Sequence, residues 1–150
     1  MIDFEEYAKF LAIQPELVLV KIIETAAKVG EAAKEIAAKK MIGHELSIWK
    51  PLDEVTIERK EREGFTGQVS ATDPLLRTGE MRESISYEVI PNPEGATVII
   101  GSSSKHAIYQ ELGTPTIPPR PFLSVATAES IPVAEKELGE TAITLLTPKV

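Results

Sequence analysis

Apolar side chains recur every three or four positions through the N-terminal part of the chain. Val18, Ile22, Ala26, Val29, Ala33 and Ile36 form one such stripe, the spacing that lines up one face of an α-helix. Lys21, Glu24, Lys28, Glu31 and Lys39 take the other face. Pro15 suits the first turn, where its missing N–H is not needed. The basic Lys39–Lys40 pair and Gly43 suit the end. Glu24 and Lys28 are spaced to attract along the helix, Glu31 and Glu35 to repel. A shorter helix precedes this one. Asp3 and Glu6 form an acidic capping box, and Phe4, Tyr7 and Leu11 share a face up to about Ala12.

The pattern changes after His44. Asp53 can cap a polar turn or helix through Glu63, and the segment from Glu63 to Asp73, broken by Gly64 and Gly67, reads as a long exposed loop. Thr78 can cap a short turn over Gly79–Ser84. The period then drops to two: Ile85, Tyr87 and Val89 alternate with Ser84, Ser86 and Glu88, as in a half-buried strand. A turn cluster from Pro91 to Gly95 leads to the β-branched run Thr97–Ile100, which completes a hairpin. Ser102–Ser104 can cap a helix from Lys105 to Leu112, with Ala107, Ile108 and Leu112 inward and Gly113 at its end. A last helix is expected from near Ser130, with Pro132 in its first turn, to about Leu146. The pattern predicts one α+β domain over residues 1–150, with a flexible loop at 63–73. Long N-terminal helices and a C-terminal helix pack on a small antiparallel sheet.

Composition narrows the function. Only 5% of residues are aromatic, so the core rests on smaller aliphatic side chains and leans on partner surfaces for part of its burial. Sixteen Lys and Arg face 23 Asp and Glu, a net charge of −7, which argues against sequence-independent nucleic-acid binding. There is no Cys, so disulfides and thiolate metal sites are excluded. No apolar run has the length of a membrane span, and the acidic N-terminus does not read as a signal peptide. The expected compartment is a cytosol.

No catalytic, metal or cofactor site is read from the residues. His44 and His106 are the two histidines, and neither lies in an H-x-x-x-H or H-E-x-x-H pattern. Ser103 or Ser104 with His106 and Glu111 would supply a hydrolase triad, but without the G-x-S-x-G context. Lys50, Arg59, Lys60 and Arg62 are interleaved with acidic residues, which reads as a solvated face. The least ordinary segment is prolyl: Pro115, Pro118, Pro119 and Pro121 make it extended and stiff. It reads either as a rigid loop closing the core or as an arm that presents Arg120 and Phe122 to a partner.

Three ordered boxes carry a family resemblance. Leu75-Leu76-Arg77-Thr78-Gly79-Glu80-Met81-Arg82-Glu83-Ser84-Ile85 resembles the first box of phage tail-completion proteins. Val98–Gly101, His106–Tyr109 and Glu111-Leu112-Gly113-Thr114 resemble the second. Ile117-Pro118-Pro119-Arg120-Pro121-Phe122-Leu123 resembles the third, and Trp49-Lys50-Pro51-Leu52 with Thr56 and Lys60 resembles the Mu-like virion morphogenesis branch. The resemblance spans roughly 49–125. His106-Ala107-Ile108-Tyr109 departs from the commoner tyrosine-alanine order.

The resemblance implies a non-enzymatic virion protein that completes the tail or joins it to the head as part of a ring. Its partners would be tail terminator, tail tube and head–tail connector proteins, with DNA passing through without specific binding. A tail terminator or a head–tail adaptor at another neck position is the alternative, and a small Ser/His hydrolase a more distant one. The residues singled out for interface or structure are Trp49, Gly79, Glu111, Gly113, Thr114, Arg120, Pro121 and Phe122. The expected location is the virion, with the host cytoplasm during assembly.

Overall fold

The computed structural model describes residues 4–12, 15–41, 49–64, 70–75 and 77–147. Among them run α1 (Phe4–Ala12), α2 (Pro15–Met41), α3 (Glu54–Glu63), α4 (Glu80–Glu83), β1 (Ile85–Asn92), β2 (Gly95–Ser102), α5 (Lys105–Leu112) and α6 (Leu123–Leu146). The chain is thus α+β, with six helices and one two-stranded antiparallel sheet in the described residues. Asp3, Gly43, His44 and Leu76, given roles in the sequence, lie outside them.

α2 is the spine. Its buried positions are Thr25, Ala26, Gly30, Ala33 and Ala37, small residues that let neighbours approach closely. α6 lies antiparallel along it. Thr25 Oγ1 meets Thr141 Oγ1 at 2.7 Å, Lys28 reaches Glu137 at 3.0 Å, and Lys40 reaches Glu129 at 2.9 Å. Lys28 therefore pairs across helices, and the Glu24 expected to attract it pairs with Lys21 instead, at 2.6 Å. Tyr7 fastens α1 to the far end of α6 by donating to the Leu146 carbonyl at 2.8 Å.

The hairpin lies on another side of α2. Tyr87 crosses it at Gly30, where a Cβ would stand 2.2 Å from the ring, and Gly95 sits over Ile22. Only glycine at position 30 allows this crossing, which outweighs the small loss of helix propensity. β1 and β2 pair from Ile85↔Ser102 to Asn92↔Gly95, a longer ladder than the turn cluster predicts. Pro91 and Asn92 belong to the strand, and only Pro93 and Glu94 turn. Asn92 Oδ1 accepts the Glu94 amide at 3.0 Å, an Asx turn that starts the reversal.

The core sits at the C-terminal end of α2. Ala37, Trp49, Leu75, Ile85, Ala107, Phe122 and Ala126 form one buried cluster, with Phe122 at 0% exposure. Two expectations for α5 are corrected here. Ala107 does face inward, but Ile108 and Leu112 are 58% and 71% exposed. The start of α6 is corrected too. The helix begins at Leu123, and Pro132 lies in its interior. The reason is a cap supplied from a distant residue, described below. The segment read as an exposed loop is fixed at both of its described ends. Glu63 is helical and Ser70–Asp73 is a tight turn with Ala71 and Asp73 buried.

Candidate functional site: the prolyl segment and the cavity beside it

The conformation of the third box follows from the end of α5. Ser104 starts that helix by accepting the His106 amide at 3.3 Å. Gly113 ends it at φ 77°, and a Cβ there would stand 2.9 Å from both Ile117 O and Pro119 N. Backbone conformation and space both require glycine here. Thr114 then closes a turn on itself. Its amide donates to Ile117 O at 2.8 Å, and its hydroxyl accepts the amides of Thr116 at 3.3 Å and Ile117 at 3.0 Å.

Beyond the turn, the prolyl strand runs back along α5. The Arg120 amide donates to Gln110 O at 2.6 Å. Phe122 enters the core, and Glu111 holds the next turn. Its Oε2 accepts the amides of Phe122 at 2.8 Å and Leu123 at 2.9 Å, and its Oε1 accepts that of Ser124 at 2.9 Å. A carboxylate eleven to thirteen residues upstream thus caps α6, satisfying amides a helix start leaves unpaired. Burial pushes the Glu111 pKa up, but hydrogen bonds from Ser124, Leu123 and Phe122 outweigh it, and the carboxyl is held below its ordinary value.

The same geometry decides between the two readings of the prolyl segment. Arg120 is 5% exposed and Phe122 fully buried, so the segment is a rigid closure of the core. The expectation of an arm displaying Arg120 and Phe122 is corrected. Pro121 is half-buried beside them. Trp49 is likewise a core residue. Gly79 takes a left-handed conformation at φ 84° to start α4. Glu111, Gly113, Thr114, Arg120, Pro121 and Phe122 form one unit; Gly79 stands apart from it in the chain.

A cavity of about 740 Å³ opens next to this unit, between the Lys50–Asp53 segment, α3, Pro74 and Leu75, the Arg77–Met81 segment and the prolyl strand. Arg120 and Lys60 both line it. Arg120 Nη2 donates to Lys50 O at 3.2 Å, while its Nε is buried without a hydrogen-bond partner. Lys60, 7% exposed, donates to Asp73 O at 2.6 Å. Burial depresses the pKa of each; for Lys60, nearby Arg77 adds to the fall and Asp73 opposes it.

The solvated charged face expected around Lys60 is corrected, since Lys60 itself is buried. It shares the inner side of α3 with half-buried Thr56 and Ile57. That i, i+4 spacing was the available signal, hidden by the charged run around it. The basic residues Arg59 and Lys50 do stand exposed on the cavity rim.

The hydrolase pieces are not assembled as a triad. Ser104's hydroxyl is used as the α5 cap, and Glu111's carboxylate caps α6. No hydrogen bond among the described residues joins a serine hydroxyl to the His106 imidazole. Also among the described residues, no cluster of His, Asp or Glu could hold a metal ion, and no helix is long and apolar enough to cross a membrane. Compared with family models, curated proteins and solved structures, the chain matches none.

Proposed function

We propose that the chain is a structural virion protein of a long-tailed bacteriophage, one that completes the tail or joins it to the head through subunit interfaces in a ring. The observation that carries the interface part is apolar surface. Ile108 and Leu112 stand out from α5, Ile90 and Ile99 from the hairpin, and Ile131, Leu138, Ile143 and Leu146 from α6. Isolated exposed aliphatics are ordinary, but their recurrence on three elements suits a chain that buries them against neighbours. The hairpin adds open edges, since neither strand has a second neighbour among the described residues. The phage part rests on the ordered boxes. Tail terminator, tail tube and connector proteins are the proposed partners. The charge of −7 is compatible with DNA passing through without specific binding.

The test pairs Ile108→Glu with Leu112→Glu. Both side chains are exposed, so thermal stability stays within about 0.5 kcal/mol of wild type. Incorporation into particles and ring formation, followed by light scattering and electron microscopy, are expected to fail. Full incorporation of the stable double variant would remove α5 from the interface. A terminator or adaptor position would show as binding to a different neighbour.

A further inference from the structure

The cavity beside the prolyl strand is lined by two buried cations that the described residues balance only in part, through the Asp73 carboxylate near Lys60. Lys60 and Arg120 are each more than nine-tenths buried and both line it. Neither has a carboxylate within ion-pair distance among the described residues. Each instead donates to one backbone carbonyl, of Asp73 and Lys50 respectively. Buried cations are ordinarily paired, because a carbonyl dipole replaces only part of the lost hydration. The guanidinium also keeps a buried Nε without a partner, and the Gln110 amide, on the same wall, has its oxygen buried without one. Turned over, that amide would offer a further donor. Two buried cations thus line the space, each held by a single carbonyl and, among the described residues, neither in an ion pair.

We propose that this cavity receives a single carboxylate side chain from a polypeptide segment of a partner. A guanidinium fork matches a carboxylate in plane and spacing, and a buried ammonium adds charge. The volume, about 740 Å³, is in the range of sites that enclose a ligand group. The rim favours a polypeptide over a nucleic acid. It carries the Glu63–Arg77 ion pair at 2.7 Å and the carboxylates of Asp53 and Glu80, which would meet a run of phosphates with like charge. The chain's net charge of −7 repels a polyanion further, while one carboxylate between mixed side chains suits this rim. The site is independent of the virion reading and would stand if that reading failed.

The test uses the full chain and three probes: a capped hexapeptide carrying one glutamate among neutral residues, inorganic phosphate and a single-stranded oligonucleotide. Calorimetry and thermal shift are expected to give saturable binding and a raised Tm with the hexapeptide, and binding at least tenfold weaker with the other two. Lys60→Met is the decisive variant. It removes a buried charge while keeping most of the stem, so the unliganded chain should melt at or above the wild-type temperature, with hexapeptide affinity lowered at least tenfold. Arg120→Lys keeps the charge but loses the fork, and should weaken binding likewise. Absence of hexapeptide binding to wild type would overturn the proposal, as would equal or tighter binding of phosphate or oligonucleotide, or unchanged affinity in the Lys60→Met chain.

Discussion

Removing the Glu111 carboxylate is the sharpest perturbation of the closure. In Glu111→Ala, the amides of Phe122, Leu123 and Ser124 lose their acceptor together. Loss of a side-chain cap at a helix start costs about 1–2 kcal/mol, and a hydrogen bond to a charged acceptor contributes about 1.5–3 kcal/mol. One half-buried carboxylate serves all three amides, and water can replace it at exposed Ser124, so the bonds do not add in full. A loss of about 2–3 kcal/mol follows, which for a chain of this size lowers Tm by about 4–12 °C. Glu111→Gln keeps one acceptor oxygen without the charge and should fall between.

The acid side supplies an internal control. The folded pKa of Glu111 lies below its ordinary value near 4.5. Its charge-dependent contribution is therefore complete above that value and is lost as pH falls through the folded pKa. The gap between wild type and Glu111→Gln should be constant near neutrality and close under acid. Thermal unfolding by circular dichroism across that range is the assay. An alanine variant melting within about 2 °C of wild type at pH 7 would refute the capping account.

Three further outcomes follow from the packing. Gly30→Ala gains about 1 kcal/mol of helix propensity but places a methyl 2.2 Å from the Tyr87 ring, and overpacking costs about 1–3 kcal/mol; denaturant unfolding should show net destabilisation, and a gain would contradict the crossing. Phe122→Ala should lose about 3–5 kcal/mol by the same assay, since its side chain is fully buried; a surface-like loss under about 1 kcal/mol would remove it from the core. Lys60 has a folded pKa below the ordinary 10.5, so the unfolded chain binds the extra proton between the two values and stability rises with pH there. The Tm difference between wild type and Lys60→Met should shift in favour of wild type as pH rises toward 10.5, and a shift the other way would contradict the burial of its charge.

Local pattern made much of the fold legible. The period-two run from Ile85 and the Asn92–Gly95 turn lie within a few residues of each other, and so do Ser104, α5 and Gly113. What stayed hidden depends on partners far apart in the chain. The helix start at Leu123 has no local cap of its own, because its carboxylate belongs to Glu111, and Pro132 then looked like a beginning. The inward direction of Arg120 and Phe122 is set by the Arg120 amide meeting Gln110 O, a contact absent from any local window. Ile108 and Leu112 fit an inward stripe by spacing, yet α5 buries Ala107 alone; their exposure is legible only once the core is assembled. Lys60 needed the Ser70–Asp73 turn to be seen as buried. The residues singled out in the second and third boxes come together as one unit, but as a closure and not as a displayed arm.

The central claim is assembly of a phage particle. The most direct measurement is electron microscopy of lysates from a phage carrying this gene with the gene deleted, beside lysates complemented by the wild-type chain. The account predicts complete, DNA-filled heads beside unjoined or aberrant tails, with normal virions restored on complementation. Normal, infectious virions in the absence of the chain would contradict it.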